Sequence, residues 1–165
     1  MKIKTKVYLS ALSFILAAIV LCSCSRLNLL SKKTIFEPDS PKQVAQKIFE
    51  VLEEYDFIKL SKESVALYYD FDLSLCESCL VYISNKENSA DEIAIFNLKD
   101  NESNESVISA IKQRAEIKKQ TYQSINSSEY EKANTPILIN NNNYIVYVVS
   151  SQSKEISSKL NDFYS

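Results

Sequence analysis

Cys76-Glu77-Ser78-Cys79 is the stretch with the most reactive potential, two thiols at the spacing of redox pairs and soft-metal sites. Four readings stay open for it: a small structural disulfide between Cys76 and Cys79, two unpaired thiols, a redox pair, or a metal site. In thioredoxin-like proteins the pair follows a strand and opens a helix, whose N-terminus activates the first thiol. Here the pair precedes an apolar strand, Leu80 to Ile83. A metal needs more soft ligands than two thiolates, and the chain has no histidine to add. The disulfide is the leading expectation, and it carries a condition. Residues three apart on an extended strand face opposite sides about 10 Å apart, too far for a disulfide. The bond therefore requires residues 76–79 to form a turn or a helix end.

Other candidates are weaker. The acidic pairs Asp70/Asp72 and Asp91/Glu92 lack the Asp-x-Asp-x-Asp-Gly spacing of a calcium loop and read as solvated faces. Lys118 projects into the apolar arc of the longest helical stretch, which reads as a snorkelling side chain or as a cation kept for a ligand. The ten tyrosines fall mostly at core or strand-edge spacing, with a sugar- or peptide-binding surface as the alternative. Absences exclude more. Without histidine there is no Ser-His-Asp or Cys-His catalysis, and without glycine no glycine-rich phosphate loop or dinucleotide fingerprint. No catalytic, cofactor-binding or metal-ligating residue is assigned.

Lys2, Lys4 and Lys6 precede an apolar run, Val7 to Val20, that ends at Leu21-Cys22-Ser23-Cys24. This is the layout of an export signal, short for a spanning helix, and its end resembles a lipobox with Cys24 as the acylated residue. The expected division is a lipoprotein signal peptide over 1–23, a lipidated N-terminus and tether over 24–39, and one domain over 40–165. Losing residues 1–23 removes three lysines and no acid, taking the formal charge from −2 to −5. An acidic body argues against nucleic acid.

The elements that must position these residues follow from periodicity and caps. Ser40-Pro41-Lys42-Gln43 opens a helix carrying Val44, Ile48, Val51, Leu52 and Tyr55. Ser61 caps a shorter helix to Tyr69. Leu80–Ile83 and Glu92–Leu98 read as strands with apolar residues on both faces, suited to a sheet under helices. From Asn104 to Ile125 a long helix places Val107, Ile108, Ile111, Ala115, Tyr122 and Ile125 within an arc of about 100°. Residues 136–139 and 144–149 form a hairpin whose turn is asparagine where glycine is usual, and Ile156, Leu160 and Phe163 mark a last helix. The expected fold is α+β, a single domain with a mainly antiparallel four-stranded sheet, in the order α-α-β-β-α-β-β-α.

Several of these features occur together in a known arrangement. They are the lipobox leader, Tyr68-Tyr69-Asp70 ending a short helix, Asp91-Glu92-Ile93-Ala94-Ile95-Phe96, Arg114 on the long helix, Ser128-Glu129-Tyr130-Glu131, and the terminal hairpin. Over about residues 40–163 the chain resembles an uncharacterised lipoprotein family of low-GC Gram-positive bacteria, domain of unknown function 4358. The resemblance implies a lipid-anchored protein on the outer face of the cytoplasmic membrane, with a role in envelope polysaccharide work. It transfers no catalytic residue. The expected function is a non-enzymatic binding or accessory module, anchored in the membrane through Cys24 and partnered by an envelope protein or polysaccharide. The alternative is an extracytoplasmic enzyme, either a thiol oxidoreductase using Cys76 and Cys79 or a carboxylate-dependent hydrolase.

Overall fold

The structure, a computed structural model, describes residues 40–52 and 56–163. The leader and tether, Cys24 included, lie outside the described residues. The fold is α+β, as expected, but the sheet has five strands and every pairing is antiparallel. The elements are helix α1 (Pro41–Phe49), strand β1 (Phe57–Lys59), helix α2 (Lys62–Tyr68), a 3-10 turn (Leu73–Leu75) and strands β2 (Cys76–Ser84) and β3 (Glu92–Leu98). Helices α3 (Asn104–Gln123) and α4 (Ser127–Asn134), strands β4 (Ile137–Asn141) and β5 (Tyr144–Val149) and helix α5 (Ser153–Phe163) follow. The sheet runs β1-β2-β3-β5-β4.

Three expectations of the element order are corrected. A fifth strand, β1, stands where three residues pair with Tyr82–Ser84 at the sheet edge, too short to show a period in sequence. A separate helix, α4, follows the long one. Strand β2 begins at Cys76 rather than Leu80, because a bulge at Glu77 breaks the alternation that would reveal it.

The central strands explain the layering. In β3, Ile93 and Ile95 face one side while Ala94, Phe96 and Leu98 face the other; β5 splits into Tyr144, Val146 and Val148 against Ile145, Tyr147 and Val149. Both faces are apolar, so both must be covered. One core holds Val44, Ala45 and Ile48 of α1 with Ile156 and Leu160 of α5. The opposite core holds Val65 of α2, Val107 and Ile111 of α3 and Ala133 of α4. The result is a sheet between two helical layers.

Local chemistry sets the ends. Ser61 Oγ accepts the Ser64 N–H at 3.2 Å, capping α2 as expected. Ser40 occupies the cap position of α1 in extended backbone, but its side chain makes no cap bond, and Pro41 supplies the helical start. The β4–β5 turn is made by asparagine, Asn142 taking a φ of 52° that a branched side chain would resist. In α3 the expected arc holds through Tyr122, but Ile125 lies past the helix end and is 58% exposed.

Candidate functional site

Glu92 is the first residue of β3, flanked by Ile83 of β2 and Val149 of β5. Its register sends the side chain to the α3 side of the sheet, where it is fully buried. The expectation of a solvated Asp91/Glu92 face is therefore corrected for Glu92. A bare carboxylate there would cost many kcal/mol (on the order of tens unrelieved), so the surrounding residues must answer it. They do. Arg114 donates from Nη2 to Oε2 at 2.8 Å and from Nε to both oxygens at 3.3 Å. Lys118 Nζ lies 2.8 Å from Oε2 and donates to the Ala90 carbonyl at 2.7 Å. The Tyr69 hydroxyl donates to Oε1.

Each partner is placed by its element. Arg114 and Lys118 sit four residues apart, one turn of α3, and so reach the same carboxylate from one face. Tyr69 follows the last turn of α2 in extended backbone, which turns its ring into the core against Phe96, centroids 5.2 Å apart. Tyr68, the residue before it, lays its ring over the Arg114 guanidinium, 4.5 Å from centre to Cζ. Lys118 is thus neither snorkelling nor free for a ligand. It is an internal counter-ion.

The electrostatics follow from these contacts. Burial alone pushes the Glu92 carboxyl up, but Lys118 and Arg114 outweigh it and hold it below its ordinary value. Burial pulls Lys118 down, and Glu92 only partly restores it. Tyr69 is raised well above its ordinary value by burial and by the adjacent carboxylate. The Tyr147 hydroxyl, raised for the same two reasons, is buried without a hydrogen-bond partner among the described residues.

A second tier ties down the loop leading into β3. Lys132 of α4 bridges Asp91 (3.0 Å) and Glu129 (2.7 Å), and Glu129 also accepts the Ala90 N–H at 2.7 Å. Tyr122 donates to the Ser89 carbonyl at 2.6 Å. Asn126 holds the start of α4 by accepting the Ser128 N–H at 3.0 Å. Outside this tier lies an open polar hollow of about 880 Å³, walled by Lys86, Glu87, Asn88, Asp91, Glu129 and Lys132.

The remaining sequence candidates lie elsewhere. Asp70 and Asp72 are exposed, and Asp72 caps the 3-10 turn by accepting the Ser74 N–H at 2.8 Å. Cys76 and Cys79 are both free thiols in β2. Burial pushes Cys76 up to about 12 and raises Cys79 as well, so neither is an activated nucleophile. Among the described residues, no group of three or more Cys, Asp or Glu side chains is placed to hold a metal.

The arrangement is a closed charge cluster, able to pin α3 to the sheet. Glu92 has no oxygen left for a substrate and no path for one to enter, which argues against acid–base work at that carboxylate. Lys118→Met should cost about 1.5–3 kcal/mol, the range for losing a charged hydrogen bond, because Arg114 and Tyr69 still hold Glu92. Chemical denaturation would measure it, and a loss as large as that of Glu92→Ala would show the three donors act as one unit. Sequence reading missed the cluster, although one signal was present: two cations four apart beside the buried arc of a helix, with a carboxylate opening an otherwise apolar strand.

Residues 50–150 match the family model for a domain of unknown function, DUF4358. No curated protein and no solved structure matches the chain. Several of the residues quoted for the resemblance converge in space. Tyr68, Tyr69, Asp91, Glu92, Arg114 and Glu129 all belong to the two-tier network.

Proposed function

The chain belongs to the DUF4358 family, whose function is not established, and from that premise we propose that it is a non-enzymatic binding or accessory module, lipid-anchored through Cys24 on the outer face of the cytoplasmic membrane. The observation that carries the reading is where these polar residues go. Their charges are consumed inside the fold, fixing the helical layer and the loop before β3, while the open surface beside them is a hollow of side chains without an activated nucleophile. A scaffold that holds one loop and one helix start rigid suits recognition, because rigid groups lose less freedom on binding. The anchor rests on the leader: a basic start, an apolar run and Leu21-Cys22-Ser23-Cys24. No helix of the described residues is long and apolar enough to cross a membrane. The partner is an envelope protein or polysaccharide.

Two experiments test this. In cells fed an alkyne fatty acid, Cys24→Ser should lose lipid labelling and accumulate as the unprocessed precursor. Labelling that survives in Cys24→Ser and disappears in Cys22→Ser would move the anchor. A photo-crosslinker at Asn88, on the rim of the hollow, should capture an envelope component from intact cells. Substrate turnover by the purified protein, lost in Glu129→Gln, would replace the binding module with an enzyme.

A further inference from the structure

We propose that Cys76 and Cys79 are a thiol pair open to disulfide exchange, entered at Cys79 and closing reversibly into a strained intrachain disulfide. The geometry comes from the bulge. Cys76 stands opposite Leu98, Ser78 opposite Asn97 and Cys79 opposite Phe96, so Glu77 is the extra residue. Without it the two cysteines would face opposite sides of the sheet; with it both turn toward the α3 side, Cys76 within that core and Cys79 packed against it. They share a small cavity of about 240 Å³ with Lys62, Leu73 and Ser74.

The spacing decides the character of the bond. Two rungs of the ladder separate the pair, about 7 Å at ~3.4 Å per residue. Disulfides span Cα separations of about 4.4–6.8 Å. The bond can form only by tightening the bulge, and a bond that stores strain is more easily reduced than an ordinary structural one.

Access decides the order. Cys76 is 9% exposed, whereas Cys79 is only half-buried. Burial raises both thiols; Lys62 and Lys59 partly offset it at Cys79, whereas at Cys76 the help of Lys99 is opposed by Cys79 and Asp72. The Cys79 thiol loses its proton to solvent, and its thiolate attacks one sulfur of a small disulfide R–S–S–R. A mixed disulfide forms and one RS⁻ leaves, taking up a proton. Cys76, deprotonated in turn, attacks the Cys79 sulfur and expels the second RS⁻. The pair is oxidised by two electrons, and the incoming disulfide is reduced to two thiols. The co-reactant class is a small-molecule or exported-protein disulfide.

The test uses the full-length protein in detergent, exposed to oxidised and reduced glutathione and read by peptide mapping across residues 76–79. The peptide should lose two hydrogens in oxidised glutathione, and the bond should reopen at a glutathione ratio that leaves a reference protein's buried structural disulfides intact. Cys76→Ser should accumulate one glutathione on Cys79, while Cys79→Ser should remain unmodified. The rate should rise about tenfold per pH unit in the neutral range, following the thiolate fraction. Cysteines that stay fully alkylatable in oxidised glutathione, an adduct confined to Cys76, or a bond as resistant as the reference would each overturn the proposal.

Discussion

Replacing Glu92 with alanine should cost about 3–5 kcal/mol, the range for breaking a buried ion pair from one side. Small domains hold only about 5–15 kcal/mol in all, so the variant should melt far below the parent or fail to fold. The cause is what stays behind. Arg114 and Lys118 would share a buried site without a counter-charge, and the Tyr69 hydroxyl would lose its acceptor. Glu92→Gln keeps one carbonyl oxygen and should fall between parent and alanine. Acid provides an independent reading. The folded carboxyl sits below its unfolded value, so the stability it contributes is fully present above the unfolded pKa and is lost as pH falls through the folded one. Burial opposes the two cations, so protonation forfeits only part of what deletion costs. The gap between parent and Glu92→Gln should therefore narrow below about pH 4, while the gap to Glu92→Ala persists. Denaturant midpoints from pH 7 down to the acid limb would show this. A gap to Glu92→Gln that is the same at every pH would mean the charge contributes nothing.

What was legible before folding follows physical range. Caps and turns are local, so Ser61, the asparagine turn and the start of α3 could be read from a few residues. The apolar residues on both faces of Leu80–Ile83 and Glu92–Leu98 point to a sheet covered by helices on at least one side, and the structure has helices on both. Long-range polar chemistry was not legible. Glu92 opens its strand exactly as an exposed acid would, and nothing near it in sequence reveals cations 22 and 26 residues later. The bulge hid the first half of β2 in the same way. Alternation with period two assigns Cys76 and Cys79 to opposite faces, and one inserted residue reverses that assignment. Helix α4 escaped because its face is weakly apolar, with Ala133 the only residue it buries fully.

Ile111→Asp should abolish cooperative folding, and the Glu92 site shows why. A carboxylate survives inside this domain only with several donors closed around it. Ile111 is 1% exposed on α3 within a core that includes Val107, Phe96, Leu98 and Ile145, whose side chains are hydrocarbon. The hydroxyls of Tyr69 and Tyr147 in the same core could not close around a carboxylate as two cations and a tyrosine do around Glu92. Lys112 is exposed on the outer side of the helix, and Arg114, one turn along, already serves Glu92. An aspartate at 111 would have to stay protonated, with its hydroxyl unsatisfied, or draw Arg114 away and strip Glu92 in turn. Either course costs several kcal/mol, about the whole margin of a small domain. Ile117→Asp supplies the contrast: that side chain lies on the outer face of the same helix, 48% exposed, and the change should stay within about 0.5 kcal/mol. Circular dichroism melts of the two variants would read the phase of α3 directly. An Ile111→Asp protein that melts with the parent, or an Ile117→Asp protein that does not, would place the wrong face of the helix against the sheet.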